Sequence, residues 1–309
     1  MLATLLTLCL LATSASLIYN AATSTPAAEP AGLKFVTADG IRTRYLQWGT
    51  DGTGPPVVLV HGFAESADTF DPLGSALAAA HRRVYALDLT GWGYSQRQGP
   101  YDADHQAKQL LGFLDALHLQ APVLVGHSTG AAVIAAAVLD DPSRASGLVF
   151  LDGDGLNTGA GSGAQWLESI LINPYRTTLL RLAIRQDWLI RQIYDDNCGP
   201  GCPSLDAAGV DQWRRPLQVA GAQDALWQEL SIVGLPAARI AELAGLRMPK
   251  AVVFGADDGV FPQSAPYDTA KRIGAPPPTI IPGARHLSFI SNPEQVSAAI
   301  TSLPVAHGN

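Results

Sequence analysis

Six short apolar runs recur at long intervals along this chain, at residues 57–60, 84–89, 123–125, 148–151, 251–254 and 279–281. None alternates apolar with polar residues, so each suits a strand covered on both faces. Helical patterns fill several of the gaps, at residues 71–81, 102–119, 129–139 and 236–246. Strand and helix alternating in this way predict an α/β fold, a mostly parallel doubly wound sheet with right-handed crossovers. Ahead of it, residues 33–48 read as two more strands around the turn Ala38-Asp39-Gly40.

One interval breaks this rhythm. Between about residues 156 and 231 no buried-strand run occurs, and helix-like segments at 166–172, 177–193 and 210–230 carry large apolar residues instead. Four of the six tryptophans fall there, Trp166, Trp188, Trp213 and Trp227. The expected organisation is one catalytic core made of residues 33–155 and 232–309, with a helical cap inserted at 156–231. The plainer alternative is a packed subdomain with no part in substrate binding. With 47% hydrophobic residues the chain has ample material for such a core.

Residues 1–32 stand apart, carrying Glu29 as their single charge. Residues 2–19 are an almost unbroken apolar run, and the small-residue stretch 20–30 follows as a linker. Two readings compete: a secretory signal peptide, and an uncleaved segment that tethers the protein to a membrane. A buried helix docked on the domain is the third. No Lys or Arg precedes the run, so its orientation is not written in charge. Either of the first two readings implies an extracytoplasmic protein, secreted or membrane-anchored. Cys198 and Cys202 flank Gly199-Pro200-Gly201, a turn that brings two thiols within disulfide reach. A disulfide there agrees with an oxidising compartment, and two free thiols are the alternative. Two sulfurs without a nearby His make poor zinc ligation, so no metal site is expected.

The net charge is −7 and no run of Lys or Arg occurs, which excludes a nucleic-acid binder that must neutralise phosphates. An acidic, weakly charged chain suits an enzyme acting on a neutral or apolar small molecule.

The strongest chemical signal is Gly126-His127-Ser128-Thr129-Gly130, between an apolar run and the small-residue stretch 131–137. A serine at a sharp strand-to-helix turn has its oxygen exposed, and its neighbours must lack bulk to permit the close approach. The helix start also aims backbone N–H groups at developing negative charge. Serine alone is a poor nucleophile and needs an oriented base. His286, in the loop after the last apolar run, is the candidate. His81, His105 and His118 lie in helical patterns, His307 in the tail, and His127 is expected to point away from Ser128 as a structural residue. For the acid that orients the base, Asp258 is favoured over its neighbour Asp257 by its spacing from Gly255 and Pro262. Asp152 and Asp154, after the run 148–151, are the rivals. Two N–H donors for an oxyanion are expected from Thr129, directly after the serine, and from Phe63, in the loop that follows residues 57–60. His61 is expected to hold that loop by hydrogen bonds. Trp92, with Phe63, is a candidate for the pocket wall, with plain core packing as the alternative.

Taken together, His61-Gly62-Phe63, the segment 88–95, Gly126 to Gly130, Gly255 to Pro262 and Gly283 to His286 resemble the α/β-hydrolase fold in its capped, single-domain, esterase-like form. The resemblance runs from about residue 33 to residue 303. It implies a nucleophile at Ser128, an acid at Asp258, a base at His286 and oxyanion donors at Phe63 and Thr129. Three departures are visible: Thr90 where Pro is frequent, Arg285 where Gly is common, and Gly259 where Pro often follows the acid. None removes a catalytic group. The expected reaction is hydrolysis of a carboxylic ester through an acyl-enzyme, without metal or organic cofactor. C–C, lactone or perhydrolase-type chemistry on the same triad is the alternative within enzymes, and a ligand-binding protein without turnover is the alternative outside them. A serine at this position argues against dehalogenase and epoxide hydrolase chemistry, which resembling enzymes perform with a carboxylate. Oligomeric state is not written in the sequence.

Overall fold

The computed structural model describes residues 2–156, 172–229 and 234–305. Eight strands form one sheet: β1 (Lys34–Ala38), β2 (Ile41–Trp48), β3 (Val57–Val60), β4 (Val84–Leu87), β5 (Val123–His127), β6 (Gly147–Leu151), β7 (Lys250–Gly255) and β8 (Thr279–Ile281). Their spatial order is β1-β2-β4-β3-β5-β6-β7-β8. The hairpin β1–β2 is antiparallel, β2 pairs antiparallel with β4, and every later pairing is parallel. This is the mostly parallel sheet that the spacing of apolar runs predicts.

The two-residue side-chain period sorts these strands onto two cores. Val58, Val60, Leu124 and Phe150 point to one face, where they meet Phe113 of α3 (Ala103–Ala116) and Ile134 of α4 (Gly130–Asp140). Val57, Leu59, Val125 and Leu151 point to the other, where they meet Leu73 and Leu77 of α2 (Asp71–Ala79) and Val296 of a C-terminal helix. Strands buried on both faces need apolar residues throughout, which explains why no alternation is seen in the sequence. All strand carboxyl ends from β3 to β8 lie at one edge, so the residues that follow them converge there.

Residues 2–22 form a helix, α1 (Leu2–Ala22), whose apolar side chains are almost all exposed. Between β6 and β7 the described cap helices are α5 (Tyr175–Ile184), α6 (Asp187–Cys198), α7 (Ala207–Arg214) and α8 (Ala222–Glu229). The sequence patterns at 177–193 and 210–230 are each expected as one segment, and each is two helices. The first breaks at Gln186, which is extended before the acidic Asp187 opens the next helix. The second breaks at a short 3₁₀ turn containing Pro216 and at Gly221, whose φ is +77°. The expected segment 166–172 lies outside the described residues apart from Ile172. The cap is tied to the core by Gln106 of α3, whose Nε2 donates to buried Glu229 at 2.9 Å.

After the cap come α9 (Ala237–Glu242), α10 (Ala265–Ile273), α11 (Ser288–Ser291) and α12 (Pro293–Thr301). The helical patterns in the sequence cover the first of these and not the last three. α10 carries its own stop signal, Gly274 in the left-handed region at φ +67°, preceded by Lys271 and Arg272 in the last turn.

Candidate active site

Ser128 sits where β5 hands over to α4, at φ +50°. A β-carbon at Gly126 would lie 2.4 Å from the Gly130 carbonyl oxygen, and one at Gly130 would lie 2.4 Å from that of Val60. Both glycines of the motif are therefore required by close backbone approach. The same holds for Gly62, where a β-carbon would meet that of Ser128 at 2.8 Å. A left-handed non-glycine residue costs of order 1–3 kcal/mol and persists only where its surroundings enforce it. Here Ser128 N–H donates to Leu151 O at 3.0 Å, and Ser128 O accepts from Ala131 N–H at 3.1 Å.

The side chains gathered around this turn are those the sequence points to. His286 Nε2 lies 3.2 Å from Ser128 Oγ, and its Nδ1 lies 2.9 Å from Asp258 Oδ2. Asp258 Oδ1 is held by the Val260 N–H at 2.7 Å, so the carboxylate is oriented from both sides. Asp257 is exposed, as expected of a loop residue. The rival Asp152 is buried beneath the same loop, yet it accepts from Gly255 N–H at 2.7 Å and from Ser288 Oγ at 2.5 Å rather than from His286. Burial raises its carboxyl to about 7. Asp154 accepts from Leu156 N–H at 2.9 Å instead.

Phe63 and Thr129 flank Ser128, and among the described residues neither backbone N–H donates to a protein acceptor. The loop bearing Phe63 is pinned by His61, whose Nδ1–H donates to Gly62 O at 2.8 Å while Nε2 accepts from Leu89 N–H at 3.0 Å. One nitrogen donates and the other accepts, so His61 is neutral, and burial lowers its pKa accordingly.

His127 is different. Its Nδ1 faces Glu65 Oε2 at 3.0 Å and its Nε2 faces His286 O at 3.0 Å. Both partners are acceptors, so both ring nitrogens carry protons and His127 is an imidazolium paired with the Glu65 carboxylate. Burial opposes the charge on each, and their attraction outweighs it: His127 is raised and Glu65 lowered. Glu65 also accepts from Gly62 N–H at 3.0 Å. Glu65 escapes sequence reasoning because it belongs to no recognised motif, although its place three residues after Gly62 was visible.

Above these groups lies a cavity of about 440 Å³, mostly apolar, with Ser128 and His286 in its wall. Phe63, Ile190, Ile193, Trp213 and Leu217 line it, the last four from the cap. Trp92, expected at the pocket wall, does not line it. It is 2% exposed and stands behind Phe63 in an edge contact of 5.0 Å between ring centroids. Its alternative reading, core packing, is what the structure gives. Cys198 and Cys202 are joined in a disulfide across the C-terminal end of α6, with Cα atoms 5.9 Å apart. That end touches the His286 loop: Leu287 N–H donates to Asn197 O at 3.0 Å, and Arg285 donates to the carbonyls of Asp195 and Asp196. Arg285, which replaces a common glycine, thus anchors the loop to the cap.

The family model described as "alpha/beta hydrolase fold" matches residues 55–293. The chain belongs to the α/β-hydrolase fold family. Among curated proteins it is 26% identical over 259 residues to a pimeloyl-[acyl-carrier protein] methyl ester esterase of Aliivibrio salmonicida, covering 82% of this chain and 93% of that one. Among solved structures, a thermophilic esterase from Thermogutta terrifontis superposes with a TM-score of 0.69 at 23% identity, covering 88% of this chain and 97% of that one. A structure described as a membrane phospholipase A superposes with a TM-score of 0.69 at 21% identity, covering 98% of this chain and 97% of that one. Likeness at these identities is likeness of fold.

Proposed function

We propose that this protein is a serine hydrolase of carboxylic esters, with Ser128 as nucleophile, His286 as general base and acid, and Asp258 as the group that holds the His286 tautomer. The observation that carries this reading is the continuous relay Asp258 Oδ2, His286, Ser128 Oγ opening into an apolar cavity. Ser128 Oγ attacks the ester carbonyl as His286 Nε2 takes its proton. The Phe63 and Thr129 N–H groups stabilise the oxyanion, and His286 returns the proton to the departing alcohol. Water then enters, gives a proton to His286 and cleaves the acyl-enzyme. The apolar lining favours an acyl or alkyl chain over a charged one. Ester hydrolysis is also what the name of the pimeloyl-[acyl-carrier protein] methyl ester esterase, similar over most of the chain, describes.

We read α1 as a membrane tether. It has 21 residues, no charge, and an apolar surface that the domain leaves uncovered. With that reading, the Cys198–Cys202 disulfide supports an extracytoplasmic catalytic domain, in an oxidising compartment.

Labelling with a fluorophosphonate tests the nucleophile. One equivalent of label on the Ser128 peptide is expected, and labelling at another serine or none at all would contradict it.

A further inference from the structure

Fifteen large apolar side chains are well exposed among the described residues. Eight belong to α1, and five more, Ile172, Leu179, Leu182, Trp188 and Ile193, fall within one stretch of the cap, residues 172–193. Such a concentration is not the scatter expected on a soluble surface. The same stretch carries Arg176, Arg181, Arg185 and Arg191 against Asp187, a local charge of +3 in a chain of net −7; Arg185 is exposed and Arg191 half-buried, while Arg176 lies over Trp227 and Arg181 is bonded to Asn20. Apolar side chains interleaved with arginines are the composition of a segment that lies in a lipid headgroup layer.

The way α1 packs makes the argument geometric. Thr13, Ser16 and Asn20 form a polar stripe along its second half, at helical spacing, and Thr23 follows directly after its end. That stripe meets α5: Thr13 Oγ1 and Tyr175 Oη lie 2.6 Å apart, Asn20 Nδ2 donates to Pro174 O at 2.9 Å, and Arg181 donates to Asn20 O at 2.5 Å. Tyr175, Leu179 and Leu182 lie at i, i+4 and i+7 on α5, hence on one face. Thr13 stands about 13 Å along the axis from the end of α1, at ~1.5 Å per residue. The 11 residues from Leu2 to Ala12 that extend beyond this contact measure only about 16 Å, against a hydrocarbon core of about 30 Å. If α1 spans the bilayer, Tyr175 is carried below the plane where the helix emerges. If α1 enters only by its free half, α5 lies at the point of entry. Both arrangements bring the same cap face to the lipid.

We propose that the cap face formed by α5 and the start of α6 is a bilayer-contacting surface for anionic phospholipid, seated beside α1. It rests on the reading of α1 as membrane-inserted and extends it from a tether to an orientation. Ile193, further along α6, is 56% exposed and also lines the cavity, so the helix that begins at this face continues into the cavity wall. The substrate is then a lipid-borne ester that enters from the membrane rather than from water.

The test uses the full-length chain in vesicles of phosphatidylcholine and phosphatidylglycerol, with bromine on the acyl chains of one lipid. Bromolipid is expected to quench a component of tryptophan emission that Trp188→Phe lacks. Equal quenching in the two proteins, or a Trp188 component shielded within a dimer, overturns the proposal. Omitting phosphatidylglycerol is expected to weaken that component, and indifference to it overturns the electrostatic part. In the same vesicles, Leu179→Asp with Leu182→Asp is expected to lower hydrolysis of a bilayer-embedded ester on the order of tenfold. Turnover of soluble p-nitrophenyl acetate should stay within about twofold of wild type, because neither side chain lines the cavity. Equal losses on both substrates would mean damage to the cap and would overturn the surface. The quenching needs no catalysis, so absence of all ester turnover would contradict the esterase reading while the fluorescence still decides this one.

Discussion

Glu65 and His127 form a buried ion pair, 3.0 Å between Oε2 and Nδ1, that joins three separate pieces of the candidate active site. Through Glu65 it holds Gly62, before the Phe63 N–H; through its own position it holds the residue before Ser128; through Nε2 it holds the carbonyl of His286. Replacing either partner leaves the other's charge without compensation in the interior, which costs about 3–5 kcal/mol for a buried pair.

Glu65→Gln is therefore expected to lower the melting temperature by several degrees and to reduce kcat more than it raises KM, because the loops it holds bear on the transition state. Glu65 is lowered from its usual 4.5 and His127 raised from its usual 6.5. The carboxylate's contribution is present above pH 4.5 and lost as pH falls through its depressed value. The imidazolium's is present below pH 6.5 and lost as pH rises through its elevated value. The gap in melting temperature between wild type and Glu65→Gln should be widest between these limits and narrow at alkaline pH. Thermal melts across pH check this, and a gap that does not vary with pH would contradict the pair.

Asp152 supplies a dependence opposite to that of Glu65. Its carboxyl is raised to about 7 by burial, so from pH about 4 to about 7 the unfolded chain releases this proton while the folded one keeps it. Stability is lost with rising pH over that window. Asp152→Asn, which keeps an acceptor for the Gly255 N–H, should gain on wild type as pH rises from 4 to 8. Denaturant titrations at the two ends measure it; a gain that is largest at pH 4 would be the wrong sign.

The disulfide clamps the end of α6 that receives Arg285 and Leu287. Closing so short a loop contributes about 2 kcal/mol on the chain-entropy account. Reduction, or Cys198→Ser with Cys202→Ser, should lower the melting temperature modestly and lower kcat by loosening the loop that carries His286. Esterase assays with and without reductant read this directly, and unchanged kcat alongside a lowered melting temperature would separate the clamp from the site.

Gly130→Ala tests the turn itself. A β-carbon 2.4 Å from the Val60 carbonyl oxygen cannot be accommodated without moving β3 or α4. The variant should lose folding stability by about 1–3 kcal/mol, the usual cost of overpacking, together with most activity. Circular dichroism melts and activity on a soluble ester are the readouts.

The sequence made much of this legible because the relevant constraints are local. Apolar runs of 3–6 residues announce buried strands, and Gly126, Ser128 and Gly130 encode a turn whose sterics those residues satisfy. Strand cores emerged to within two residues at each end; the run to Leu89 overshoots because the chain leaves the sheet after Leu87, where Asp88 accepts from the Tyr94 and Ala67 N–H groups. What stayed hidden is tertiary. Glu65 has no local signature, since its role depends on His127 lying 62 residues away. Trp92 carries the residue type of a pocket wall, but packing puts it behind Phe63. The split of each long cap segment needed Pro216, Gly221 and the extended Gln186 to be weighed against an apolar pattern that runs through them.

The measurement that bears most directly on the central claim is hydrolysis of p-nitrophenyl esters of short, medium and long chain by the full-length protein and by Ser128→Ala. The account predicts turnover in wild type, a preference for an apolar acyl chain, and loss of at least about 10³-fold in the variant with folding intact. Turnover that survives Ser128→Ala, or a folded wild type inert toward every chain length, would contradict it.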